Sequence, residues 1–153
     1  MIQLFTELQE KKNVRSNLSA LRASLKEATE EQKAQAIEFV RGHEDLVFGF
    51  LQEEDAKTRK NAALLLGDLA VQNALQPLWK AYTREQTLFV KSAYLEAMKA
   101  LHAEEILSQL KDRLAELEGE PVTEENRKHR EAELRALRAI LIQYEGIDTH
   151  HFD

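Results

Sequence analysis

From the N-terminus onward, apolar residues recur three and four positions apart, the spacing of one helical face rather than the alternation of a strand. A first helix is predicted over about Ile2 to Lys11, with Leu4, Phe5 and Leu8 on one side, and a second over about Val14 to Glu27, with Leu18, Leu21 and Leu25. Thr29 followed by Gln32 reads as a capping box, in which hydroxyl and amide side chains satisfy free backbone N–H groups. It opens a third helix that stops at Gly42. A fourth carries Leu46, Val47, Phe50 and Leu51, and Asp55 reads as the N-cap of a fifth that runs toward Ala70. The sixth holds Leu75, Leu78 and Trp79, with Pro77 near its start, where a missing N–H costs least. The seventh covers about Thr87 to Leu101 and the eighth about Ala103 to Glu118. Pro121 marks a loop, and Thr123 caps a ninth helix that ends before Gly146.

About nine short helices with brief joints do not suit a four-helix bundle; they suit helix pairs stacked into a solenoid. Such a fold implies an internal repeat. Counting from Arg59, small or apolar residues stand at offsets of three, six, seven and ten: Ala62, Leu65, Leu66 and Leu69. The same offsets from Lys91 give Tyr94, Ala97, Met98 and Leu101; from Arg15 they give Leu18, Leu21, Arg22 and Leu25, with a break at Arg22. The spacings of 44 and 32 residues are unequal, so the first interval holds a diverged unit or an extra helix.

The stretch from Asp55 to Leu69, with Asp55, Arg59, Ala62, Ala63, Leu65, Leu66, Gly67 and Leu69, resembles the second half of a HEAT repeat, and Val90 to Leu101 is similar but weaker. The resemblance implies an all-α chain, an α-solenoid of antiparallel helix pairs of the HEAT-like or armadillo type. That domain is expected over 1–146, with 147–153 as a linker or the start of a following segment. In the repeat pattern small alanines allow close helix approach, leucines fill the seam, and the Asp and Arg beside the turn bond each other and the turn backbone. A second resemblance rests on Thr123 to His129, Leu134 to Arg138 and Tyr144 to Ile147. These are similar to the HEAT-like N-terminal region of bacterial proteins expected to be SAM-dependent methyltransferases. The methylase motif is absent, since Pro77 and Pro121 are the only prolines, and no Gly-rich cofactor turn is present. What the second resemblance implies is an accessory domain. Ile147 and Phe152 near the end of the sequence read as a chain about to enter another element.

Composition narrows the function further. A chain of 153 residues with 43% hydrophobic residues is long enough for one domain with its own core. Five Gly and two Pro leave little turn material for a many-stranded β fold. Without cysteine there are no disulfides, thiolate metal sites or Cys nucleophiles, and a reducing cytoplasmic setting is expected. No stretch approaches the ~18 apolar residues of a membrane span, and no signal peptide is read at the N-terminus. The net charge of −6 argues against indiscriminate coating of nucleic acid.

Candidate chemistry reduces mostly to helix ends. His43, Glu44 and Asp45 read as a polar helix entry, His102 and Glu105 as a junction surface, Glu125 and His129 as an ordinary pair one turn apart, and His150 and His151 as linker residues. Metal ligands, cofactors and a small-molecule substrate are not expected. No catalytic residue is assigned, because the paired carboxylates sit at helix caps and the serines lack a nucleophile elbow. Trp79 is expected in the core, and Phe48, Phe50, Phe89 and Tyr94 in the packing between repeats. On helix 9, Glu131 and Arg135 stand at the favourable spacing for an ion pair.

One constellation of charge remains. If the second helix of each pair lines a concave face, the segments Val14–Lys26, Lys57–Ala70 and Glu85–Leu101 carry +3, +2 and 0, inside a chain of −6. Arg15, Arg22, Lys57, Arg59, Lys60 and Lys91 are the candidate binding residues on that face, unless Arg59, Lys91 and Arg15 serve to pair turn carboxylates. The reading is a non-catalytic recognition or scaffold domain that binds a protein or a following domain of the same chain. The alternative is an accessory domain that positions RNA or DNA for a methyltransferase. A free-standing alkylpurine glycosylase needs more aromatic residues and a stronger basic groove than this chain offers.

Overall fold

The computed structural model describes residues 1–145, and no strand occurs among them. The helices are α1 (Ile2–Gln9), α2 (Val14–Leu25), α3 (Glu30–Gly42), α4 (Glu44–Gly49), α5 (Ala56–Asp68), α6 (Leu75–Arg84), α7 (Leu88–Lys99), α8 (Leu107–Gly119) and α9 (Arg127–Glu145). Short 3-10 helices at Phe50–Gln52, Gln72–Ala74 and Glu104–Ile106 continue α4 and lead into α6 and α8.

Local chemistry accounts for the boundaries. Thr29 and Gln32 form the reciprocal capping box at α3, and Asp55 accepts from the Thr58 N–H and hydroxyl at α5. Thr123 and Asn126 bond reciprocally just ahead of α9, whose first helical residue follows a turn over 124–126. α5 stops at Asp68 because Ala70 takes a left-handed φ of 50°. The Ala70 and Val71 N–H groups then close onto the Gly67 and Leu66 carbonyls, the bonding of a Schellman end built without glycine.

The organising feature is a row. α2 packs on α5, α5 on α7, and α7 on α9, while α1 packs on α2, α6 on α7 and α8 on α9. Like ends meet along the row. Arg15 at the start of α2 pairs with Asp55 at the start of α5, and Arg22 late in α2 pairs with Asp68 at the end of α5. Arg59 early in α5 bonds Thr87, which precedes α7, and Gly67 late in α5 abuts Ala97 late in α7. The Tyr144 hydroxyl near the end of α9 donates to the Leu101 carbonyl just past α7, at 2.6 Å. It also accepts the Ala103 N–H, at 2.9 Å.

Every apolar residue at the repeat offsets in α2, α5 and α7 is buried. α9 carries the same offsets, unrecognised in the sequence: from Glu131 they give Leu134, Leu137, Arg138 and Leu141, with arginine at the position that Arg22 holds in α2. The three leucines are buried. The long first interval contains both α3 and α4, whereas α6 alone separates α5 from α7 and α8 alone separates α7 from α9. The first interval therefore holds one helix more than either later one. A single apolar cluster runs from Leu8 to Leu141. The reading of 147–153 as a linker, and of His150 and His151 within it, lies outside the described residues.

Candidate functional site

The six candidate cations divide between two sides of the row. Arg15 is exposed on α2, and its carbonyl accepts from the Asn61 amide of α5 at 3.5 Å. Its guanidinium lies 3.5 Å from Asp55, whose carboxyl is held below the ordinary value, chiefly by the bond from Thr58. Lys57 is exposed and Lys60 half-buried one turn on, and neither forms an ion pair among the described residues. These three cations gather at the start of α2 and α5. Arg22 is half-buried at the far end, and its Nε donates to Asp68 at 2.8 Å.

Arg59 and Lys91 turn elsewhere. The Arg59 guanidinium grips Glu85 at 2.8 and 2.9 Å and donates to the Glu53 and Glu54 carbonyls at 2.8 Å. The Arg59 side chain thus bonds the turn backbone and that of Asp55 caps α5, but the two side chains do not bond each other as the repeat pattern implied. Burial works against the Glu85 charge, yet bonds from Arg59, the Tyr94 hydroxyl and the Thr87 N–H hold its carboxyl below the ordinary range. Burial and the Glu85 carboxylate together push the Tyr94 phenol up. Lys91 lies over the Tyr82 ring, 5.9 Å from its centre, and faces α6.

A second buried polar cluster joins α6, α8 and α9, and nothing in the sequence pattern marked it. Tyr82 donates to Glu133, which is 3% exposed, and Arg113 reaches the same carboxylate at 3.1 Å. Burial and then the Glu133 bond raise the Tyr82 phenol. Burial opposes the Arg113 charge, but its bonds to Tyr82 and Glu133 more than offset this. Arg113 also pairs with Glu116 and Glu120 on its exposed side. Glu133 stands one turn ahead of the buried Leu137 on α9, and a buried acid there needs a partner, but Tyr82 and Arg113 lie far off in the sequence.

The histidines and aromatics resolve in detail. His43 Nδ1 bonds the Phe39 carbonyl at 2.8 Å, Nε2 faces Gln9 at 2.6 Å, and the ring stacks on Phe39. Glu44 accepts from Asn73, and Glu105 from Gln76. No group of three or more metal-ligating side chains gathers among the described residues. Phe50 and Tyr94 are buried as expected. Phe48 and Trp79 are half-buried against the core, so Trp79 sits at its edge and not inside it, and Phe89, expected in the packing between repeats, is 37% exposed. Glu131 and Arg135 do not pair; Arg138 instead reaches Glu118 on α8 at 3.1 Å. No helix among the described residues is long and apolar enough to cross a membrane. Comparison of the chain with protein-family models, with curated proteins and with solved structures finds no match.

Proposed function

We propose that this chain is a non-catalytic, HEAT-like recognition domain, an α-solenoid of helix pairs whose row of α2, α5, α7 and α9 presents a continuous face to a macromolecular partner. The observation that carries the reading is the like-end contact along that row, which is how equivalent helices of successive solenoid units lie. The offsets shared by all four helices support the same reading. The Arg59–Glu85–Tyr94 and Tyr82–Arg113–Glu133 clusters spend their hydrogen bonds within the fold, which favours structural over catalytic roles for them.

The partner surface is acidic protein. Arg15, Lys57 and Lys60 stand together at one end of the face, and among the described residues the two lysines have no ion pair to give up on binding. A K57E/K60E variant therefore keeps the wild-type melting temperature while losing partner capture from a lysate. Unchanged capture by a folded variant removes the basic end of the row as the binding surface. Retention of tRNA-sized RNA that collapses with salt would instead favour the nucleic-acid-positioning role.

A further inference from the structure

A cleft of about 330 Å3 opens between α6, α8 and the first turn of α7. It is separate from the basic end of the row, and its lining sets Asp112 and Glu116 beside Lys91 and Arg113. Trp79 of α6 lines it, half-buried, with its ring 5.4 Å from Tyr82 and tilted by 31°. Asp112 and Glu116, one turn apart on α8, line the other wall beside Arg113.

The charge in this cleft is less balanced than its lining implies. Arg113 is already shared among Glu133, Glu116 and Glu120. Lys91 lies over the Tyr82 ring. Asp112 is exposed, and its carboxylate has neither an ion pair nor a hydrogen bond among the described residues. Both cations that line the cleft are therefore engaged, whereas of its two lining carboxylates Glu116 shares Arg113 and Asp112 is unspent beside a half-buried indole. A flat cation is complementary: a guanidinium stacks on an indole face while its edge N–H groups donate to a carboxylate. We propose that this cleft holds an arginine side chain from a basic segment of a protein partner, with Trp79 as the stacking surface and Asp112 and Glu116 as acceptors.

Trp79 is the sole tryptophan in the chain, so its emission reports this cleft alone. The test is titration of the whole chain at low salt with a capped Gly-Arg-Gly-Arg-Gly peptide, alongside lysine and glutamate versions. A saturable emission change is expected with arginine, a weaker one with lysine and none with glutamate. D112N with E116Q should weaken the arginine peptide about fivefold, the scale of losing exposed charge pairs, while E31Q on α3 leaves it unchanged. D112N alone guards against disturbance of Arg113, because the Asp112 carboxylate forms no hydrogen bond or ion pair among the described residues. Absence of a saturable change with arginine, an equal response to glutamate, or full affinity in D112N overturns the assignment.

Discussion

Gly67 shows how one side chain sets the distance between two helices. A Cβ built there would lie 2.8 Å from Ala97 Cα, 3.1 Å from its Cβ and 3.3 Å from its carbonyl oxygen. Those are largely backbone atoms, so α5 and α7 would have to separate. G67A is expected to destabilise by about 1–3 kcal/mol, the scale of overpacking, although alanine gains up to ~1 kcal/mol in helix propensity. G49A is the matched opposite. Gly49 has helical φ of −61° and nothing within 4 Å of the added carbon, so alanine there should stabilise by about 0.5–1 kcal/mol. Urea unfolding of the two variants checks both signs, and a neutral G67A would mean that the helices part without cost. The residue scale was also where the sequence was hardest to read. Helical spacing marks Trp79 as facing inward but says nothing about what covers it, and no element closes over its outer edge. Glu133 stood out only as an acid among leucines, because its partners Tyr82 and Arg113 are distant in sequence.

At the scale of elements, caps and periodicity were legible because their causes are local. Asp55 with Thr58, and Thr29 with Gln32, occupy the expected places. The ends that moved did so through tight turns that leave little trace in hydrophobic spacing, such as Phe50–Gln52 after α4. The join between α5 and α7 depends on Arg59, whose side chain is 16% exposed, and Glu85, at 4%. Removing one partner of such a pair strands the other, and R59A should cost about 3 kcal/mol. R59K keeps the charge but loses the planar fork that spans Glu85 and two carbonyls, so it should recover only part of that loss. The pair also sets a pH dependence. In the unfolded chain Glu85 titrates near the ordinary value of about 4.3, whereas in the fold it is held lower. Between those values the unfolded state binds the extra proton. The stabilisation is therefore complete above the ordinary value and is lost as pH falls through the folded one. Urea midpoints taken from pH 6 down to pH 3 should fall more steeply for the wild type than for E85Q. Parallel profiles would show that the carboxylate carries no such linkage.

For the whole molecule, the question is which parts open together. In the row, α5 is held by α2 on one side and α7 on the other, and α7 by α5, α6 and α9. α3, one of the two helices in the first interval, has only Ala36 and Val40 buried along its thirteen residues. Its ties to the rest include the Phe5–Phe39 stack at 4.5 Å and its joint to α4 at His43. Helices with few buried contacts open locally at free energies well below that of global unfolding, whereas those packed on both sides exchange only when the fold is lost. Native-state hydrogen exchange should therefore divide the molecule unevenly. Amides of α5 and α7 should exchange at the global free energy, and those of α3 should open at least ~2 kcal/mol below it. F39A should lower α3 protection further while leaving α5 and α7 in their original order, because the stack it removes joins α3 to α1 and not to the row. If α3 instead exchanges with α5, it is an integral part of the repeat stack, and the long first interval is a complete unit with its own place in the row.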